Sequence, residues 1–301
     1  MNQSSNFIGL GNFFNNIGSN VQEGILDEIA EWMIATGVEY HDNELNCNVF
    51  DTIENVKSVL VIGDDKKLHY KTTQRYSWLK ICINNETPQV PSSLVIGKDI
   101  YIELVFDGVS QERMDEWKDR FVRISRLALD GCKINNWDWI NDVQDSIGDL
   151  YINNTSIPNG FNGIVPKVTF AVEIRMCDIK NLDNFPLIGS AAEVSIISCN
   201  ELSDISGLAD KNKCFDLLRI DECPNITCTK NMQRLYIRNL YICDILLKKM
   251  IQAGELFGLV YKYISIAARG GYGYDEFNNI VKEVSNAYPS AHVSLQLSHA
   301  R

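Results

Sequence analysis

The 301-residue sequence lacks any apolar run of the ~18 residues that a membrane-spanning helix needs. Its opening stretch, MNQSSNFIGLGNFFNNIGSN, has no basic n-region and no continuous apolar h-region, so it does not read as a secretory signal. The expectation is a cytoplasmic chain that does not engage membranes. Histidine is scarce, with only His41, His69, His292 and His299, and none stands in HExxH or a similar ligand spacing. The GxSxG turn and the GxxxxGK[ST] phosphate loop are both missing. RGGYGYDEF (269–277) is Gly-rich but lacks GxGxxG spacing and a βαβ setting, so it reads as a turn. Carboxylate pairs such as Asp64–Asp65 and Asp221–Glu222 arise in any acidic chain and do not by themselves define acid–base machinery. These absences point to a protein that is not an enzyme and needs no cofactor and no metal.

Basic residues are in deficit, 28 against 39 acidic ones, for a net charge of −11. That balance repels phosphate backbones and disfavours nucleic-acid partners, while suiting basic protein partners. There is no CxxC pair, and an odd count of nine cysteines does not resemble a disulfide framework. Cys223 and Cys228 have no histidine nearby to complete a metal site. Asn85, Asn154 and Asn225 sit in N-x-[ST] sequons, which an Asn-rich chain generates by chance.

What the sequence does contain is a repeat. Six segments share one pattern: ISRLALDGCKI (124–134), IGDLYINNTSI (147–157), TFAVEIRMCDI (169–179), AAEVSIISCNEL (191–202), FDLLRIDECPNI (215–226) and MQRLYIRNLYI (232–242). A central apolar pair alternates with polar residues, as on a strand with one buried face. The ninth position is Cys132, Cys177, Cys199 or Cys223, with Thr155 as a small polar substitute and Leu240 as a departure. A small polar group leaving the strand can turn inward and bond backbone groups of the neighbouring coil. The pattern resembles the leucine-rich repeat, LxxLxLxx(N/C)xL, in its cysteine-containing variety. Thr169 and Ala191 depart from it at the first position.

Taking the last apolar residue of each strand as a ruler gives Leu129, Ile152, Ile174, Ile196, Ile220 and Ile237, with steps of 23, 22, 22, 24 and 17. The first four lie within the range of leucine-rich repeats. The ruler extends upstream to Val61, Ile83 and Leu104, and downstream to Ile266 and Leu295 at steps of 29 each. The resemblance implies an α/β fold: a leucine-rich-repeat-like solenoid with a parallel β-sheet on its concave face, a helical N-terminal cap and helix–strand units at the C-terminus. Residues 1–50 are expected to form an arm and cap, and 51–301 the repeat array. Within the array, 51–110 are divergent coils, 111–242 clear repeats and 243–301 a C-terminal cap.

In the cap, Val21, Ile25, Ile29, Trp32 and Met33 recur at helical spacing. Phe7, Ile8, Leu10, Phe13 and Phe14 before them suit packing or docking. ERMDEWKDRF (112–121) reads as a connector helix. DILLKKMIQAGELFG (244–258) starts at Asp244 as N-cap, and DEFNNIVKEVSNAY (275–288) presents Phe277, Ile280, Val281 and Val284 before Pro289 stops it.

Positions three, five and seven of each repeat would point away from the core. They give a track of Tyr151, Glu173, Arg175, Arg219, Asp221, Arg234, Tyr236 and Arg238, with Ile197 and Leu217 between. Tyr and Arg are enriched where interfaces carry their energy, so this track is the candidate partner-binding face. The plainer alternative is that its charges pair with one another. The leading expectation is a non-enzymatic scaffold for protein–protein interaction on the concave sheet. The alternatives are an acidic inhibitor or immunity-type protein neutralising a basic partner, and a structural subunit of a larger, possibly viral, assembly docked through the Phe-rich N-terminus.

Overall fold

The computed structural model describes residues 6–42, 47–72, 77–140, 143, 146–162, 166–269 and 274–297, with 6–20, 274 and 297 as backbone only. The elements are α1 (Asn6–Thr36), β1 (Glu39–His41), β2 (Cys47–Val49), α2 (Ile53–Val59), β3 (Leu60–Ile62), β4 (Leu68–Tyr70), β5 (Trp78–Ile83), β6 (Tyr101–Asp107), α3 (Gln111–Asp115), β7 (Ile124–Asp130), β8 (Ile147–Asn153), β9 (Val168–Arg175), β10 (Glu193–Ile197), α4 (Leu208–Lys211), β11 (Cys214–Asp221), β12 (Tyr236–Cys243), α5 (Asp244–Ala253), β13 (Leu259–Ala268), α6 (Tyr274–Ala287) and β14 (His292–Leu297). Together they make a mixed α/β fold dominated by one 12-stranded sheet, ordered β14-β13-β12-β11-β10-β9-β8-β7-β6-β5-β1-β2. From β5 to β14 every strand is parallel to its sequence neighbour and lies beside it. Within this sheet only β1 runs against the others, antiparallel to both β5 and β2. No helix among the described residues is long and apolar enough to cross a membrane.

Alternation explains which face is buried. Leu127, Leu129, Leu150, Ile152, Val172, Ile174, Val194, Ile196, Leu218 and Ile220 all point into the core. Segments running back from the strands stack as well, through parallel bridges Lys133↔Ser156↔Asp178 and Asn181↔Asp204↔Cys228. Between sheet and returning segments lie aromatic layers: Trp137 stacks on Phe161 at 5.4 Å, and Phe161 meets Phe185 edge-on at 5.3 Å. The returning backbones come close. A Cβ on Gly207 would sit 1.9 Å from the Leu182 carbonyl oxygen, so only glycine fits there.

From β6 to β11 the residue after the strand makes the turn. Gly108, Gly131, Asn154, Met176, Ser198 and Glu222 all have positive φ, between 46° and 64°. The turn hands its N–H to the end of the next strand: Asn154 to Arg175 O at 2.9 Å, Met176 to Ile197 O at 2.9 Å and Ser198 to Asp221 O at 3.0 Å. The following side chain turns inward, as expected. Cys177 Sγ donates to Arg175 O at 3.2 Å and to Ile152 O of the preceding coil at 3.4 Å. Cys132, Cys199 and Cys223 repeat this arrangement, and Thr155 Oγ1 serves in their file, 3.2 Å from Leu129 O. All nine cysteines are free thiols.

The register departs from the ruler in three places. Ile220 pairs with Ile242, and Ile242 with Ile266. Ile237 instead sits beside Phe215 and Val260, near the start of β12, so the short step of 17 does not exist. The cause is a bulge between Ile237 and Asn239, which puts two apolar alternations of opposite phase into one strand. Phe106, not Leu104, aligns with Leu129. Val61 lies outside the large sheet, in a two-stranded antiparallel sheet opposite His69.

At the N-terminus α1 extends well before residue 21 and packs against α2, β3 and β5. Ile29, Trp32 and Met33 are buried as expected, and Trp32 meets Trp117 edge-on at 5.9 Å. Val21 is 58% exposed, because the helix turns that position away from β3 and β5. The side chains of Phe7, Ile8, Leu10, Phe13 and Phe14 lie outside the described residues. The expected connector helix is only Gln111–Asp115, followed by turns that bury Trp117 and Phe121. The N-cap of α5 is Cys243, while Asp244 is the first helical residue. In α6, Phe277, Ile280 and Val284 are buried.

Candidate functional site

The sheet face opposite the core keeps solvent exposure at alternate positions from β5 to β13. Strand register sorts those positions into rows. One row runs Glu39, Lys80, Glu103, Arg126, Asp149, alternating in sign. Its members pair as they pass: Lys80 Nζ lies 3.4 Å from Glu39, and Arg126 lies 3.7 Å from Glu103 and 3.9 Å from Asp149. Partial burial pushes the Asp149 carboxyl up, against the pull of Arg126. A second row runs Ala128, Tyr151, Glu173, Ser195, Arg219, Tyr241, Ser265.

Three guanidiniums lie over tyrosine rings along this face. Arg123 stands 4.2 Å from the Tyr101 centroid, Arg126 5.0 Å from Tyr151 and Arg219 4.5 Å from Tyr241. Such stacks are attractive and hold long side chains in one place. Beside the first of them, Trp78, Tyr101, Arg126 and Asp149 line a cleft of about 500 Å³.

The eight residues expected to form one track divide into groups. Tyr151, Glu173 and Arg219 share the second row. Arg175 pairs with Glu173 of its own strand at 3.0 Å. Asp221 is not available to a partner, being only 1% exposed. Arg269 reaches back from the end of β13 and places Nε and Nη2 3.2 and 3.0 Å from the two Asp221 oxygens, while Arg219 approaches at 3.4 Å. The Asp221 carboxylate, with Glu222 adding to it, holds Arg269 above its usual pKa despite burial. Ile197 is likewise buried, and Leu217 half-buried.

The register correction removes the last three residues from the track. Arg234 precedes β12 in a 3-10 turn, and Tyr236 opens the strand. Together with Lys211 and Lys213 they line a separate cleft of about 550 Å³. Arg238 falls at the bulge and pairs with Asp216 at 2.9 Å. Tyr241 holds the place expected of Tyr236. Burial, with the Asp221 carboxylate beside it, pushes its phenol up and keeps it a neutral donor.

Sequence reasoning left Trp78, Tyr101, Glu103 and Tyr241 out of the face, although Tyr241 stands five residues after Tyr236 in the same strand. The missing signal was the phase change inside YIRNLYIC. No family model, curated protein or solved structure matches this chain. Its function therefore rests on its own geometry.

Proposed function

We propose that the chain is a non-enzymatic recognition scaffold: a leucine-rich-repeat-like solenoid whose open sheet face, concave in that architecture, binds a protein partner. The observation that carries this reading is the set of three Arg–Tyr stacks on the open face. Tyr and Arg supply large contact areas and directional polar groups, and they dominate interface energies. Rings already held by guanidiniums lose little freedom on binding, which lowers the cost of association. The file of inward thiols and the strictly sequential parallel strands support the repeat assignment. The expected setting is cytoplasmic, with no membrane or nucleic-acid contact. The acidic-inhibitor alternative calls for one sign of charge on the face, and the alternating row from Glu39 to Asp149 does not favour it.

The test is photo-crosslinking from probes at positions 151 and 241, combined with a Tyr101→Ala/Tyr151→Ala/Tyr241→Ala variant. The expected outcome is one stoichiometric partner crosslinked from both positions. The variant should bind it at least about 30-fold more weakly, the loss of one hot spot, with unchanged circular dichroism. A partner that the variant retains at full affinity overturns the assignment of this face.

A further inference from the structure

At the β2 end of the sheet, three different donor types converge. Glu39 and His41 are two residues apart on β1 and so share a face, and His41 lies opposite Cys47 of β2. His41 Nε2 stands 3.0 Å from Glu39 Oε2, Cys47 Sγ stands 3.5 Å from that oxygen, and Sγ to Nε2 is 3.6 Å. In a tetrahedral zinc site with ordinary Zn–N, Zn–O and Zn–S bonds, neighbouring ligand atoms stand about 3.3–3.6 Å apart. The three donors therefore already occupy roughly the corners of one face of such a tetrahedron.

The same geometry argues against a nucleophilic cysteine. A Cys–His–carboxylate relay uses opposite ring nitrogens, one for the thiol and one for the carboxylate. Here a single nitrogen, Nε2, faces both groups. One nitrogen cannot accept the thiol proton while donating to the carboxylate, but it can share a metal ion with both.

Two neighbours hold the ligands in place. The Trp78 ring stacks on His41 at 4.6 Å with a 4° interplanar angle, which fixes the imidazole plane. Lys80 Nζ lies 3.4 Å from Glu39 Oε1 and 3.5 Å from Oε2, and so anchors the carboxylate. Outer contacts of this kind orient ligands in known metal sites.

We propose that Glu39, His41 and Cys47 bind a zinc ion at the end of the open sheet face, with the fourth position taken by water. Imidazole together with thiolate selects zinc over magnesium or calcium, which prefer all-oxygen shells. On binding, the thiol proton passes to solvent and the sulfur coordinates as thiolate. This inference stands apart from the recognition reading, since neither the Arg–Tyr stacks nor a partner enters it.

The test titrates the metal-free full-length chain with Zn²⁺ by calorimetry and with Co²⁺ by optical spectroscopy. The expected result is one equivalent bound, with Co²⁺ showing four-coordinate visible bands and a sulfur-to-cobalt charge-transfer band. Cys47→Ser should abolish the charge-transfer band, and both Cys47→Ser and His41→Ala should weaken zinc by at least about tenfold. Cys82→Ser, which removes the other exposed thiol, should change neither readout. Far-UV circular dichroism of each variant confirms that the fold is retained. No uptake by the wild type overturns the proposal. So does uptake that the Cys47→Ser/His41→Ala double variant retains, or that depends on Cys82.

Discussion

Met176 shows how a single residue bears the geometry of the turn. It leaves β9 at φ 51°, in the left-handed region, where a Cβ crowds the following carbonyl at a cost of roughly 1–2 kcal/mol. Gly108 and Gly131 make the same turn without that cost. Met176 is 51% exposed, so little packing is lost by shortening it, and its N–H bond to Ile197 O does not involve the side chain. Met176→Gly should therefore stabilise the protein by about 0.5–1 kcal/mol, the strain relieved less the extra freedom of glycine in the unfolded chain. The midpoint of urea unfolding should rise, and a fall would show that the turn is not strained. The inward residue after the turn was legible in the sequence, because Cys132, Thr155, Cys177, Cys199 and Cys223 recur at fixed phase. The turn residue itself was not: Gly, Asn, Met, Ser and Glu share no chemistry, only a backbone angle.

Among the elements, the β3–β4 hairpin depends on one histidine. His69 Nδ1 lies 2.5 Å from Asp99 and Nε2 2.9 Å from Asp65, while Asp99 also accepts the Tyr70 N–H at 3.0 Å. Partial burial works against the charged ring, but the two carboxylates prevail and hold its pKa above the ordinary value. A raised folded pKa means that the contribution is fully present below the unfolded value, about 6.5. It is lost as pH rises through the higher folded value. Because all three groups are partly exposed, solvent screening keeps the effect small. Amide exchange at Tyr70, corrected for its intrinsic pH dependence, should report weakening protection from pH 6 to 9 in the wild type and a flat profile in His69→Asn. A wild-type profile as flat as the variant's would exclude His69 as the clasp. Sequence reasoning placed Val61 in a further coil because a short apolar run fits a hairpin and a repeat strand equally well. The misplacement of Ile237 has a different origin, the bulge at Arg238, which reverses the alternation within one strand. From Leu129 to Ile220, where the one register shift, between Ile147 and Asp149, comes before the ruler position of its strand, spacing alone located every register partner.

At the scale of the whole molecule, each strand of the large sheet from β5 on touches chiefly its sequence neighbours, so damage should stay local. Gly207→Ala tests this. Its Cβ would meet the backbone of Leu182, which cannot swing aside as a side chain can. Relief requires the two coils to part, at about 1–3 kcal/mol. Hydrogen exchange should accelerate across β9 to β11 and stay unchanged in β5 to β7. Uniform acceleration would instead mean that the sheet opens as one unit. The same neighbour-only logic explains why the sheet could be read from repeats while its ends could not. Terminal elements answer to one neighbour, and α1, the hairpin and Arg269 each solve that problem with different chemistry.

The turn donors all point one way. From Gly108 to Ser198, the N–H at the left-handed position is satisfied by the carbonyl that ends the following strand. The array is thus directional, like a row of tiles with matching tongue and groove. Removing or duplicating one whole tile between β7 and β10 leaves every tongue seated. Cutting through the middle of a tile does not. Length along this axis is consequently a quantity that heredity can change in single steps of 22–24 residues.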